Sequence, residues 1–311
     1  MSARRGATDL SGILAIDKPS GMTSHDVVDR VRRISGERRV GHAGTLDPMA
    51  TGLLVVLVGP ATRLAPYLTS ATKSYEARIV FGTQTDTDDA EGRVVATSPV
   101  PDEVADPFFA TGVIASLVGT HEQVPPAFSA VKRNGKVAYR EARNGEALEL
   151  EPRTVDIDQA LLVGIECDGE YAWDVEFAVS KGTYIRALAR DLGLALGTVA
   201  HLGALRRTRS GSIDVTHAHT LEELHAAADP SCLFLDPLDA LGLPTIEVDV
   251  QGASRVGVGG ALDAKTLGAC TTHVPADVAI AHEGTLLGIY AHAGESLRAQ
   301  VVIPGGVRGA R

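Results

Sequence analysis

The sequence predicts a mixed domain of interspersed strands and helices, α/β or α+β in class, followed by a small β-rich domain. Three observations carry that prediction. Apolar residues between positions 12 and 210 recur now with a strand period and now with a helical one. Beyond a proline-broken stretch from Leu235 to Ile246, the last part is rich in Val, Gly and Thr and nearly free of helical pattern. The 311 residues suffice for two domains at roughly 100–200 residues each. The boundaries expected are 1–240, with a basic insertion at about 120–150, and 245–311.

The elements follow in order. Gly12 to Asp17 is a short apolar strand that enters the turn Lys18-Pro-Ser-Gly-Met22. Thr23 opens a helix, with Asp26 completing a capping box. Val27, Val28, Val31 and Ile34 form its apolar face and Gly36 ends it, leaving Arg30, Arg32, Arg33, Arg38 and Arg39 at its far end. Val40 to Gly52 is a glycine-rich loop, and Leu53 to Val58 reads as a fully buried strand. Ser74 to Gly82 alternates as a strand. Asp86 to Gly92 is a polar turn; it is no EF-hand loop, because the required sixth-position glycine is Glu91. Gln123 through Arg143 is an irregular basic insertion. Residues 171–180 alternate again and turn through Ser180-Lys-Gly182 into a helix carrying Ile185, Leu188, Ala189 and Leu192 on one face, with Arg186 and Arg190 on another.

Composition excludes several classes. With 44% apolar and 22% charged residues, the chain is neither disordered nor fibrous. The longest aliphatic run, Leu53 to Val58, is far short of the roughly 20 residues of a membrane helix. The start lacks the apolar run of a signal peptide, and Cys167, Cys232 and Cys270 show neither disulfide nor zinc spacing. A cytoplasmic protein without metal or other cofactor is expected. The net charge of −10 disfavours nucleic acid as a partner until it is divided: residues 1–75 carry +4, 120–145 carry +3 and 181–209 carry +5, while 210–311 carry −7. Charge acts within a Debye length of about 8–10 Å, so basic segments can serve one face of an acidic protein.

Asp47, in Gly44-Thr-Leu-Asp-Pro48, is by itself ordinary turn chemistry, and His42, Tyr75, Tyr184 and Arg186 are each open to structural readings. Together they belong to an ordered series: Ile16-Asp-Lys-Pro-Ser-Gly-Met-Thr-Ser24, Val40-Gly-His-Ala-Gly-Thr-Leu-Asp-Pro-Met-Ala-Thr-Gly52, Lys73-Ser-Tyr75, Thr85-Asp-Thr-Asp-Asp-Ala-Glu-Gly92, Gln123-Val-Pro-Pro126, Ser129-Ala-Val-Lys132 and Ser180-Lys-Gly-Thr-Tyr-Ile-Arg186. This series resembles the TruB family of tRNA pseudouridine synthases over residues 12 to about 240, and its long Gly- and Val-rich form resembles the actinobacterial branch. The C-terminal part resembles that family's PUA-type domain more loosely.

The resemblance implies an α+β pseudouridine synthase fold, with a mainly antiparallel central sheet, flanking helices and a basic insertion, plus a PUA-like domain. It implies isomerisation of uridine 55 in the tRNA T-loop, with Asp47 as nucleophile or base and Arg186 holding and orienting that carboxylate. Tyr75 would stack on the flipped base and Tyr184 beside it, and Leu205 would wall the pocket. His42 would fill the space the nucleotide leaves, and Lys18 would lie beneath the loop and support phosphate contact. Lys132, Arg133, Arg140, Arg143, Arg190, Arg206 and Arg207 would contact RNA, the insertion closing over the T-arm. A monomer acting on tRNA without guide RNA or membrane is expected. The alternatives are a tRNA-binding or folding protein and a guide-dependent, dyskerin-like synthase.

Overall fold

The computed structural model describes residues 8–129, 131–133, 136–143, 148, 150–263 and 277–310. The chain forms two compact units. One comprises Met1–Pro48, Gly52–Ala71 and Arg209–Arg311; the other comprises Met49–Thr51 and Thr72–Thr208.

The first unit begins with β1 (Gly12–Lys18), α1 (Ser24–Ser35), β2 (Val40–His42) and β3 (Thr51–Val58). β1 runs antiparallel to β3 from the pair Gly12 and Val58 to the pair Lys18 and Gly52, and β2 takes the other edge of β3. Ile13 to Ile16 and Leu53 to Val58 are fully buried, which is why both strands read as unbroken apolar runs rather than alternating ones. α1 is bounded as its sequence requires. Thr23 and Asp26 form a reciprocal capping box, and Gly36 ends the helix at φ 68°, a left-handed geometry that favours glycine. Val27, Val28 and Val31 are its buried face.

The second unit carries β4 (Lys73–Phe81), β5 (Gly119–Gln123), β6 (Arg153–Glu166), β7 (Ala172–Val179), α2 (Ile185–Ala195) and β8 (Ala200–Ser210). Its strands lie in the order β8-β4-β7-β6-β5. The β4–β7, β7–β6 and β6–β5 pairings are antiparallel, and β6 takes up two register shifts against β7. The insertion has local structure in its described part: Lys132–Arg133 pairs with Lys136–Val137, and Ala138–Arg143 is a helical turn.

The first unit resumes with β9 (Thr245–Glu247), α3 (Val250–Gly257), β10 (Leu262–Asp263), β11 (Asp277–His282), β12 (Thr285–Ala293) and β13 (Ser296–Val307). These strands form a sheet in the order β9-β11-β12-β13-β10, with only β9 and β11 parallel. Strand alternation gives it two apolar faces. Val278, Ile280, Tyr290 and Leu297 pack with Val256 of α3, whereas Ala279, Leu286, Ile289 and Ile303 join Ile13, Leu53, Val55 and Leu57 in one core. α3 is the helix in a segment whose sequence is nearly free of helical pattern. Asp249 caps it by accepting from the Gly252 amide, and its eight residues are too few, with too many glycines, to show a period.

Candidate active site

Asp47 is half-buried on the loop between β2 and β3, and both of its neighbours are fastened. The Ser24 hydroxyl at the start of α1 donates to the Leu46 carbonyl at 3.1 Å and accepts from the Leu46 amide at 2.9 Å. On the other side, the Pro48 carbonyl accepts from the Gly21 amide at 2.9 Å and from Lys18 Nζ at 3.1 Å. Lys18 Nζ also donates to the carbonyls of Pro19 and Met22, at 2.9 and 2.7 Å. The loop can turn this sharply because Gly44 and Gly52 take φ 101° and 94°. His42 stands edge-on to His25, with ring centroids 6.0 Å apart.

This placement corrects the expected role of Lys18 in phosphate contact. Its side chain is fully buried and its ammonium is turned onto three carbonyls, so it shapes the Asp47 loop instead of meeting an RNA. Lys18→Met removes a donor from three carbonyls while preserving the stem. The expected loss is roughly 3–5 kcal/mol of unfolding free energy, since groups left buried without partners are costly. Urea denaturation reads it, and a midpoint shift below about a tenth of the wild-type value would show that the carbonyls find other donors.

In the second unit, α2 and two preceding loops build a polar cluster. Arg186, in the first turn of α2, is 4% exposed. Its guanidinium donates to the carbonyls of Thr87 at 2.8 Å and Phe128 at 3.0 Å, and its Nε lies 3.6 Å from an Asp89 carboxylate oxygen. Asp89 in turn accepts from the Thr87 hydroxyl and the Glu91 amide. One turn further along α2, Arg190 reaches the carboxylates of Asp88 and Asp191 and the Val124 carbonyl. The two arginines thus clamp the same two loops. Asp88 adopts φ 60°, a strained left-handed conformation for a residue with a side chain. Burial pushes its carboxyl above the ordinary aspartate value, against the pull of Arg190, Gln84 and Arg186.

Tyr184 precedes α2 and is held through its backbone: its amide donates to the Gln123 side chain, whose Nε2 donates back to its carbonyl. Arg153 lies over its ring at 5.6 Å, a cation–π contact. Tyr75 is buried on β4 opposite Phe177, and Leu205 is buried on β8. The second unit therefore collects Arg186, Tyr184, Tyr75 and Leu205, while Asp47, His42 and Lys18 belong to the first.

The expected RNA contacts divide. Arg207 is fully buried and so is internal to the second unit, whereas Arg190 is 17% exposed in its side chain and committed to three acceptors. Arg206 is half-buried. The side chains of Lys132, Arg133, Arg140 and Arg143 lie outside the described part of the structure. Ser24, Gln123, Asp88 and Asp89 have positioning roles that their motifs did not disclose. One signal was present: two adjacent aspartates in Thr85–Gly92, against two arginines four apart on a helix.

Lys73, two residues before Tyr75, is 7% exposed, and burial with help from Arg207 and Lys181 lowers its pKa from 10.5 to about 8. Between those values the unfolded chain holds a proton on Lys73 that the folded chain has lost, so this group adds stability as the pH rises through that window. The expected gain is about 3 kcal/mol relative to Lys73→Met, read from urea unfolding of both proteins from about pH 7 to about pH 10. A difference that stays flat over that range would place the Lys73 ammonium in water.

Among the described residues no three His, Cys, Asp or Glu side chains gather as metal ligands, and no helix is long and apolar enough to cross a membrane. Residues 32–185 match the model of the TruB family pseudouridylate synthase N-terminal domain, and residues 186–241 match that of the tRNA pseudouridylate synthase B C-terminal domain. The chain is 49% identical to the tRNA pseudouridine synthase B of Thermobifida fusca, over 79% of this chain and 84% of that one. It is 43% identical to the protein of the same name from Cutibacterium acnes, over 90% and 92%. In structure it resembles a chain of a Cbf5-Nop10-Gar1 complex with a TM-score of 0.71 and 26% identity, covering 94% of this chain and 84% of that chain.

Proposed function

The chain belongs to the TruB family and has the pseudouridine synthase fold, and from that premise we propose how it acts. It is an isomerase that converts uridine in tRNA to pseudouridine. The N1–C1′ bond breaks, the base turns, C5 joins C1′, the C5 proton leaves and N1 gains one. The observation that carries the assignment to a residue is the fastening of Asp47. A carboxylate whose flanking backbone is held by Ser24, Gly21 and Lys18 is preorganised to attack C1′ or to take a sugar proton. Tyr75 stacks on the extruded base, Tyr184 and Leu205 complete its surroundings, Arg186 is the active-site arginine, and His42 takes the place of the flipped nucleotide. No cofactor takes part.

The target is uridine 55 of the T-loop, recognised as a splayed loop, with the insertion at about 120–150 closing over the T-arm. Residues 1–240 are the catalytic part and 245–311 a PUA-like domain. The net −7 beyond residue 209 favours little RNA contact there. The protein acts in the cytoplasm as a monomer.

Release of tritium from 5-tritiated uridine in a T-arm stem-loop tests this reading, because joining C5 to C1′ expels that hydrogen. Stoichiometric release without any added guide RNA is expected. A guide-dependent, dyskerin-like enzyme is the second reading, and release only with a guide would favour it. Binding without release under either condition would favour a tRNA-folding protein.

A further inference from the structure

The end of α1 and the turn after it hold Arg30, Arg32, Arg33, Arg38 and Arg39, with Asp29 and Glu37 as the only acids between residues 29 and 39. Neither acid neutralises the group. Asp29 pairs with Arg32 at 2.8 Å. Glu37 is 4% exposed and turned inward, accepting from the Arg39 amide, the Thr8 amide and the Thr8 hydroxyl. Burial opposes its ionisation, but those bonds outweigh it and hold its carboxyl below the ordinary glutamate value.

Arg30, Arg33, Arg38 and Arg39 are exposed, and among the described residues none has a carboxylate within 4.0 Å. Four such guanidiniums within ten residues concentrate positive charge in a chain that carries 39 acids against 29 Lys and Arg. Elsewhere Arg78, Arg93, Arg186, Arg190 and Arg209 each reach an aspartate. The helix dipole accounts for Arg32 and Arg33 in the last turn, but not for Arg38 and Arg39 beyond the Gly36 cap.

The first residue of the same helix is Ser24, which fastens Leu46 beside Asp47. At 1.5 Å per residue, the basic end lies roughly 17 Å along α1 from that clamp. Nucleic-acid duplexes carry about one negative charge per 1.7 Å of axis, so a stem passing the loop brings several phosphates over that distance. Planar guanidinium groups suit phosphate oxygens.

We propose that Arg30, Arg33, Arg38 and Arg39 form a phosphate-binding surface for the backbone of the substrate RNA. This rests on the reading of the chain as a tRNA-modifying enzyme. Its test compares wild type with the variant Arg30→Gln/Arg33→Gln/Arg38→Gln, sparing Arg39 because its Nε also donates to Thr62. Dissociation constants for an unmodified tRNA transcript are measured between about 50 and 200 mM salt. The variant is expected to melt with the wild type, to bind tRNA about tenfold or more weakly at the low end, and to show a salt slope shallower by about one for each phosphate that is no longer neutralised. KM rises and kcat at saturating tRNA holds, and the corresponding triple lysine variant recovers most of the slope. Coincident salt dependences for variant and wild type would overturn the proposal. Loss of binding to phosphatidylserine-rich vesicles, with tRNA binding unchanged, would overturn it in favour of a membrane surface. Failure of the wild type to release tritium refutes the enzymatic reading, whereas the proposal stands or falls on the slopes.

Discussion

Asp47→Ala lowers tritium release from uridine-labelled tRNA by at least about four orders of magnitude, while the dissociation constant for tRNA stays within a few fold. The size of the effect follows from the role: loss of the group that attacks or abstracts leaves only binding and orientation to act on the bond. Its selectivity follows from how the loop is built. The hydrogen bonds that set its course go to the backbone of Leu46 and Pro48, on either side of Asp47. Removing a half-buried carboxylate from such a frame changes the chemistry and spares the shape. Asp47→Asn, which keeps the volume and an acceptor oxygen, is expected to be as inactive as the alanine variant. Pseudouridine formed at even a hundredth of the wild-type rate by either variant removes Asp47 from the reacting atoms.

Elements governed by local physics were legible in the sequence. The Thr23 and Asp26 cap, the Gly36 stop and the apolar runs of β1 and β3 depend on neighbours within a few residues, so spacing alone discloses them. The loop around Asp47 was legible as a motif, but its fastening was not. Ser24 is 22 residues from Leu46 and Lys18 is 30 from Pro48, and no periodicity carries contacts at that separation. Buried cations were misjudged for a related reason. Lys18 and Arg207 are fully buried, against the strong preference of such side chains for water, and for Lys18 the three carbonyls that the fold assembles make this tolerable. Charge counted by segment located basic stretches, yet gave no means of separating paired guanidiniums such as Arg190 from unneutralised ones such as Arg30.

Arg186→Met is expected to cost the fold about 3–5 kcal/mol, out of the roughly 5–15 kcal/mol that holds a protein folded. The reasoning starts from burial. Methionine keeps the apolar stem, but Asp89, 7% exposed in its side chain, loses the cation at 3.6 Å, and the Thr87 and Phe128 carbonyls lose donors. The removal of one partner from a buried pair is dominated by the charge left behind rather than by the attraction removed. It follows that Arg186→Met/Asp89→Asn is more stable than Arg186→Met alone, although it carries one change more. Arg186→Lys lies between wild type and Arg186→Met, since an ammonium restores the charge but lacks the planar fork by which the guanidinium meets Thr87, Phe128 and Asp89. Activity is expected to follow a different order: both variants with methionine at position 186 remain inactive, because stability returns without the guanidinium proposed to hold and orient the Asp47 carboxylate. Urea denaturation and tritium release on the same four proteins separate the two roles. If the double variant unfolds at a lower urea concentration than Arg186→Met, the stranded carboxylate is not the source of the cost, and Asp89 serves the loop rather than the arginine.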